Sequence, residues 1–576
     1  MDQKYPALLN HLLALYGEDA GLETYARLEK LVEQSSKQLN TISENSGSLS
    51  ERDAILITYG DQVRQPGILP LHSLADFCEQ HLTGVVSGVH ILPFYPFSSD
   101  DGFSVIDYRQ VDPALGSWDQ IARLGQSFRL MFDAVINHIS AQSTWFQGFL
   151  QDDPRYRDYF ITVEGNPDLA QVVRPRVLPL LSRFETPSGP KAVWTTFSRD
   201  QVDLNYQNPV VLEEIIELLL FYVSKGAEFI RLDAIAYLWK EIGTTCIHLP
   251  QTHHIIQLMR AVLDIVAPDV FLITETNVPH ADNLAYFGDG TNEAQMVYNF
   301  ALPPLVLHTL HRGDSSALSR WAAGLSLPSN QVTFFNFLAS HDGIGLNPAR
   351  GILTQAEIDR LVETIVAHGG LVSYKQNSDG TQSPYELNIN YFDALSNPLE
   401  DEPLQTQALR FTAAHAIMLT LTGVPGIFFH SLFGSRSWFE GVAQTGHHRS
   451  INRQKLWRGE LEQKLADPTS LPHQVFRRLA HLLAVRTAHP AFHPYGMQSV
   501  LEYNQAVFIV QRTSLDGGEK ALCVQNITNQ SQWVEFDLGK IFGQVPALRD
   551  IVSDQIVPTL RSGAIHLDPY QTLWLA

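Results

Sequence analysis

The chain has 576 residues, 44% of them apolar and 18% charged, and a formal net charge of −21. This is a globular composition with ample core, and its acidity argues against nucleic acid or an anionic membrane surface as partner, although a few local arginines can still hold an anionic small molecule. Three scattered cysteines, Cys78, Cys246 and Cys523, exclude a disulfide framework or a cysteine-based zinc site. The start MDQKYPALLNHLL lacks the features of a signal peptide, and no apolar run reaches membrane-spanning length. A cytoplasmic enzyme, monomeric or homodimeric and acting on small molecules, is expected.

In chain order, the first element is helical. Apolar residues recur at helical spacing through HLLALYG and TYARLEKLVEQ, until the polar tract NTISENSGSLSERD breaks the pattern. Residues 1–52 are therefore expected to form a helical extension packed on the main domain. Eight short apolar runs follow, separated by amphipathic helical stretches. They are AILITYG from Ala54, GVHILPFYP from Gly88, RLMFDAVINH from Arg129 and EFIRLDAIAY from Glu228, then DVFLITET from Asp269, QMVYNF from Gln295, VTFFNFLASHD from Val332 and GVPGIFFH from Gly423. Runs apolar on both faces and alternating with helices predict buried parallel strands, and eight of them predict a closed (β/α)8 TIM barrel of the α/β class.

Two connections are enlarged. Residues 139–206, after the third strand, are rich in aromatics, proline and charge. Residues 345–397, after the seventh, contain SYKQNSDGTQSPYELNINYFDALSNP. Loops this long are functional or form small subdomains. The barrel itself is assigned to residues 53–138 and 207–489. From 490 to 576 the pattern changes to strand-like alternation in AVFIVQR, ALCVQNI, WVEFDL and TLWLA, which predicts a C-terminal antiparallel β domain.

The polar residues of the apolar runs sit mostly at their carboxyl ends, where barrel sites are assembled. Asp233 and Glu275 close the fourth and fifth runs. Neighbouring parallel strands lie about 4.8 Å apart, so carboxyls at two adjacent rims can approach the roughly 5–5.5 Å separation of retaining glycosyl-transferring enzymes. Arg231 points to the same strand face as Asp233 and can hold it ionised. Glu275 follows FLIT, whose apolar surroundings favour the protonated acid. His341 and Asp342 close the seventh run. One such aspartate is usually a helix cap or a solvated loop residue; four polar motifs in order at the ends of strands three, four, five and seven describe a site.

These four segments resemble the signature regions of the α-amylase superfamily, glycoside hydrolase family 13: DAVINH (Asp133, Asn137, His138), FIRLDA (Arg231, Asp233), ITET (Glu275) and ASHD (His341, Asp342). The resemblance implies Asp233 as nucleophile, Glu275 as general acid/base and Asp342 as the residue that distorts the bound sugar, with His138, Arg231 and His341 lining a glucose subsite. The run LPFYPFSSDDGFSVIDY further resembles the sucrose phosphorylase subfamily, which implies that Asp100 binds the glucose 4-hydroxyl and Phe103 forms an apolar platform. By the same resemblance, Phe197 in WTTFSRDQVDLNY is a second aromatic beside the sugar, Arg176 in RPRVLPL binds phosphate and Arg453 in SINRQ belongs to the glucose site. The loop PYELNINYFDALSNP departs from sucrose phosphorylases. Together with the N-terminal extension and the insert TTCIHLPQTHH, it is more similar to the branch acting on glucosylglycerate.

That branch implies phosphorolysis with retention, with inorganic phosphate as co-substrate and no cofactor. Arg176 and the cluster TGHHRSINR, with His447 and Arg449, are two cationic candidates for phosphate or for a glycerate carboxylate, and Asn388, Asn390 and Tyr391 are further acceptor candidates. A phosphorylase for sucrose, sucrose 6'-phosphate or glucosylglycerol, a hydrolase or transglucosidase of the same fold, or a catalytically silent barrel, is the competing reading; retention of Asp233, Glu275 and Asp342 together counts against the silent one. No metal is expected: the DxDxDG calcium loop is absent, and FGDGTNE, which lacks its spacing, reads as a solvated turn.

Overall fold

The computed structural model describes residues 4–39, 47–377, 379–542, 548–558 and 564–576. Each of the eight apolar runs contributes one strand: β1 (Ile55–Thr58), β2 (Gly88–Ile91), β3 (Arg129–Ala134), β4 (Ala227–Leu232), β5 (Phe271–Thr274), β6 (Met296–Tyr298), β7 (Thr333–Phe337) and β8 (Val424–Phe428). They pair in sequence order, all parallel, and the barrel closes where Ile55 of β1 registers with Gly426 of β8. Every residue of β1, β2, β7 and β8 is buried, because side chains fill the barrel on one face and helices cover the other. At Gly426 the interior leaves no room for a side chain, since a Cβ would lie 2.5 Å from the Phe335 ring.

The N-terminal extension is helix α1 (Pro6–Leu39), broken into two legs at Gly17, whose φ of 75° lies outside the helical region. Leu8, Leu12, Leu28 and Val32 on its inner stripe are buried. Polar contacts fix it to the barrel: Arg27 reaches Glu213 on the helix Pro209–Ser224 at 2.7 Å, and the Tyr16 hydroxyl donates to the Tyr206 carbonyl at 2.9 Å. The polar tract after α1 falls partly on residues 40–46, outside the described residues.

The insert after β3 carries two antiparallel pairs, His138–Ser140 with Gln201–Asp203 and Leu181–Phe184 with Lys191–Trp194. Its small core of Val163, Val172, Leu180 and Trp194 also takes Cys246 from the loop after β4, and the Val173 N–H donates to the Thr245 carbonyl at 3.0 Å. The TTCIHLPQTHH insert thus braces the neighbouring insert. After β7, a helix and the hairpin Leu371–Gln376/Gln382–Asn388 form a second cover. The C-terminal residues build a six-stranded antiparallel sheet and a two-stranded one around Val507, Ile509, Leu522, Val534 and Ile565.

The FGDGTNE loop is only half a solvated turn. Asp289 caps it through the Thr291 N–H at 2.8 Å, but Glu293 turns inward, 2% exposed, to meet His253 Nδ1 at 3.0 Å and Gln257 Nε2 at 2.8 Å. Among the described residues, no helix is long and apolar enough to cross a membrane.

Candidate active site

The site is built on a buried arginine. Arg231 on β4 registers with Asp133 on β3 and hydrogen-bonds to it, while His90 Nε2 holds the second Asp133 oxygen at 2.6 Å. The same Arg231 Nη1 donates to Asp233 Oδ1 at 2.9 Å, and its Nη2 lies 3.8 Å from Glu275 Oε2. Leu232 registers with Thr274, so the next residues, Asp233 and Glu275, leave adjacent strand ends side by side. Ala234 is held at φ 49°, a strained conformation for a residue with a side chain. Its N–H donates to Glu275 Oε2 at 3.0 Å, locking the two strand ends together.

Burial raises the carboxyl pKa of both Asp233 and Glu275; Arg231 opposes the rise in each, and the neighbouring acids add to it. Arg231 lies closer to Asp233 than to Glu275, which favours the ionised form at Asp233. A retaining mechanism needs an ionised carboxylate beside a protonated one.

At the end of β7, the His341 ring stacks on Phe103 with centroids 4.5 Å apart and planes 5° from parallel. Burial, helped by Arg231 and Arg453, pushes His341 well below its usual pKa, so the ring is neutral. Asp342 meets Arg449 Nη1 at 2.5 Å, and Arg449 in turn grips Glu386 with Nε at 3.0 Å and Nη2 at 2.9 Å. Arg453 donates to the His341 carbonyl at 2.8 Å and to Asp101 at 2.7 Å, and lies 3.7 Å from Asp100 and 3.6 Å from Asp342. Burial alone would raise the Asp100 carboxyl, but Arg453, Arg176 and Arg449 outweigh it and bring the pKa to about 2. Asp100 and Asp101 both adopt positive φ, a strained turn held by Arg453.

The remaining wall comes from the insert after β3. His138 Nε2 donates to the Phe103 carbonyl at 2.9 Å, and Phe197 lies 5.2 Å from the His138 ring. Behind them, Lys240 Nζ reaches Asp203 at 2.6 Å and Asn137 Oδ1 at 2.8 Å, with both ionic side chains buried. Lys240→Met is expected to cost about 3–5 kcal/mol of stability, because it strands a buried carboxylate. Chemical denaturation checks this, and a loss below about 1 kcal/mol would place the pair in the class of exposed ones.

The cleft, about 670 Å³ including its mouth, is lined by Asp100, Phe103, His138, Arg176, Phe197, Asp233, Glu275, His341, Asp342 and Arg449. Arg231 and Arg453 stand just behind this lining. Four acceptor candidates do not line it. Asn388 spends its amide on Ser373 Oγ at 2.9 Å across the hairpin. Asn390 caps the helix Tyr391–Leu395 through the Phe392 N–H at 3.2 Å. The Tyr391 hydroxyl donates to the Pro303 carbonyl at 2.9 Å, and His447 is exposed to solvent. These residues belong to a strand end, a capped helix and a surface turn. Arg449 lines the cleft, but two carboxylates already neutralise it.

In their place the structure brings in Tyr385, Tyr237, Gln201, Thr276, Asn277 and Val278, with Glu386 behind Arg449. Burial raises the Tyr385 phenol well above its usual pKa, which leaves a neutral hydroxyl donor. Asn277 Oδ1 is buried without a partner among the described residues, and its approach depends on Gly345, where a Cβ would sit 2.6 Å from that oxygen. The signal for Tyr385 lay in PYELNINY itself, once its first half is taken as a strand.

Residues 83–342 match the alpha-amylase catalytic domain family. Across its whole length the chain is 51% identical to a glucosylglycerate phosphorylase of Allomeiothermus silvanus, over 99% of this chain and 98% of that one. It is 45% identical to one of Escherichia coli, over 99% of each. The chain belongs to the glucosylglycerate phosphorylase family. Membership covers α1 and both inserts as well as the barrel, since the first alignment runs over 569 residues. Among solved structures, sucrose 6F-phosphate phosphorylase from Thermoanaerobacter thermosaccharolyticum shares the fold with a TM-score of 0.73 at 26% identity, over 84% of this chain and 96% of that one.

Proposed function

We propose that this protein is a retaining phosphorylase that converts 2-O-α-D-glucosyl-D-glycerate and phosphate reversibly into α-D-glucose 1-phosphate and D-glycerate. The observation that carries the acceptor is identity running the full length of glucosylglycerate phosphorylases, through the elements that cover the cleft mouth. The glucosyl ring would rest on the Phe103 face, with Asp100 and Asp342 accepting hydrogen bonds from its hydroxyls. Asp233 attacks the anomeric carbon while Glu275 gives its proton to the departing glycerate oxygen, leaving a β-glucosyl ester on Asp233. Glu275, now a carboxylate, takes a proton from the incoming phosphate as its oxygen attacks from the vacated face, and a second inversion restores the α configuration. No cofactor takes part in these steps. A cytoplasmic setting agrees with three cysteines that are all free and buried.

Glycerate leaves before phosphate enters, so one anion subsite serves both. Arg176 is suited to it. It lines the cleft and lies 3.9 Å from Asp100, a separation that leaves its planar fork for a carboxylate or phosphate. Arg449, held by Asp342 and Glu386, instead positions the sugar-binding carboxylate.

The test supplies glucose 1-phosphate with D-glycerate, glycerol or fructose as acceptor. D-glycerate is expected to win in kcat/KM by at least about tenfold, since one charge-assisted hydrogen bond contributes roughly 1.5–3 kcal/mol. Arg176→Ala should narrow that gap and raise the KM for phosphate. A preference for glycerol or fructose would refute the glycerate assignment while leaving phosphorolysis intact.

A further inference from the structure

Away from the catalytic cleft, a pocket of about 410 Å³ including its mouth lies between helix α2 (Leu302–Arg312), which follows β6, and helix α3 (Gln355–Ala367) in the insert after β7. His308, His311 and Arg312 enter it from α2, and Glu357, Arg360 and Thr364 from α3. Spacings of three and four residues put each set on one helix face, so the cluster follows directly from the sequence once the two helices are packed.

His308 is only 5% exposed, and among the described residues neither of its ring nitrogens has a hydrogen-bond partner. A buried polar ring left unpaired is costly, which points to a ligand. The nearest acidic atom, Glu357 Oε1, is 3.5 Å from His308 Nε2, and Glu357 Oε2 is engaged at 2.8 Å and 2.7 Å by the Thr354 N–H and hydroxyl in a capping box. Arg312 and Arg360 are exposed and make no ion pair or side-chain hydrogen bond among the described residues. The two guanidiniums disfavour a cation as occupant; the carboxylates that oppose them are Glu357 and Asp314. Donors converging from two helices suit an acceptor with oxygens on several sides.

We propose that this pocket binds a tetrahedral oxyanion, free or as the phosphate group of a small ester, through Arg312, Arg360 and the His308 ring. The anion would fasten α3 to the barrel helix α2. Because α3 leads into the hairpin that presents Tyr385 and Glu386, occupancy would stiffen the cover of the active site.

The experiment uses the full chain with Arg176→Ala, to weaken the catalytic anion subsite, and sulfate as the probe. Titration calorimetry is expected to show one sulfate per chain together with a rise in Tm. Adding Arg312→Ala and Arg360→Ala should weaken binding at least tenfold and abolish the rise. With α-glucosyl fluoride as donor and D-glycerate as acceptor, in the absence of phosphate and sulfate, those two substitutions should leave turnover of the otherwise native chain unchanged. The His308 imidazole resonances should shift on sulfate addition in the native protein too. Parallel titrations with inorganic phosphate and glycerol 3-phosphate identify the source: tighter binding of the ester supports a metabolite, and equal binding supports the free ion. Sulfate affinity indifferent to both arginines, or unmoved His308 resonances, would overturn the proposal.

Discussion

Asp233→Ala is expected to lower turnover of glucosylglycerate by at least about 10⁴-fold with the fold intact. The chemistry has no other group placed to form the covalent intermediate, so the loss belongs in kcat rather than in binding. The fold survives because Arg231, the partner of Asp233, keeps its bond to the buried Asp133, so no buried cation is stranded. The space left by the carboxylate admits a small anion, and azide should therefore restore part of the rate and give β-glucosyl azide. An inverted azide product identifies the face that Asp233 occupies. Near-native turnover in this variant, or an azide product of α configuration, contradicts its role as nucleophile.

The second large effect is expected at Glu275. Glu275→Gln should slow glucosylglycerate cleavage by about 10²–10⁴-fold, the usual range for loss of a positioned general acid. With α-glucosyl fluoride, whose leaving group departs without protonation, glucosyl transfer to Asp233 should be nearly as fast as in the native enzyme. The pH profile separates this from a structural effect. In the native protein kcat/KM falls as pH rises through the upper apparent pKa of the Asp233–Glu275 pair, because the acid is lost. It falls again as pH drops and Asp233 becomes protonated. Burial raises both carboxyls, which shifts the two limbs toward neutrality. Glu275→Gln should remove the alkaline limb alone. A profile that keeps both limbs would move the acid to another residue.

The barrel was legible because its strands are apolar on both faces, a pattern that needs no knowledge of long-range contacts. The carboxyls were legible for a related reason: Asp233, Glu275 and Asp342 each follow such a run directly, so locating the strand locates the residue. The acceptor side was not. Between Gly343 and Asn388 the backbone is set by distant contacts, among them the Glu386 carboxylate, which accepts the Gly343 N–H at 2.5 Å and is gripped by Arg449. Without that register, the sequence does not distinguish Asn388, Asn390 and Tyr391 from Tyr385, which lines the cleft. Arg449 was legible only in part. Its charge was plain in the sequence, but the two carboxylates that neutralise it come from residues 342 and 386. Arg176 lines the cleft 3.9 Å from Asp100.

The most direct test of the account follows glucosylglycerate by proton NMR with and without inorganic phosphate and identifies the first sugar product. The expected result is α-glucose 1-phosphate, formed together with an equal amount of D-glycerate and only when phosphate is present. Free glucose released at the same rate without phosphate, or glucose 1-phosphate of β configuration, would contradict it.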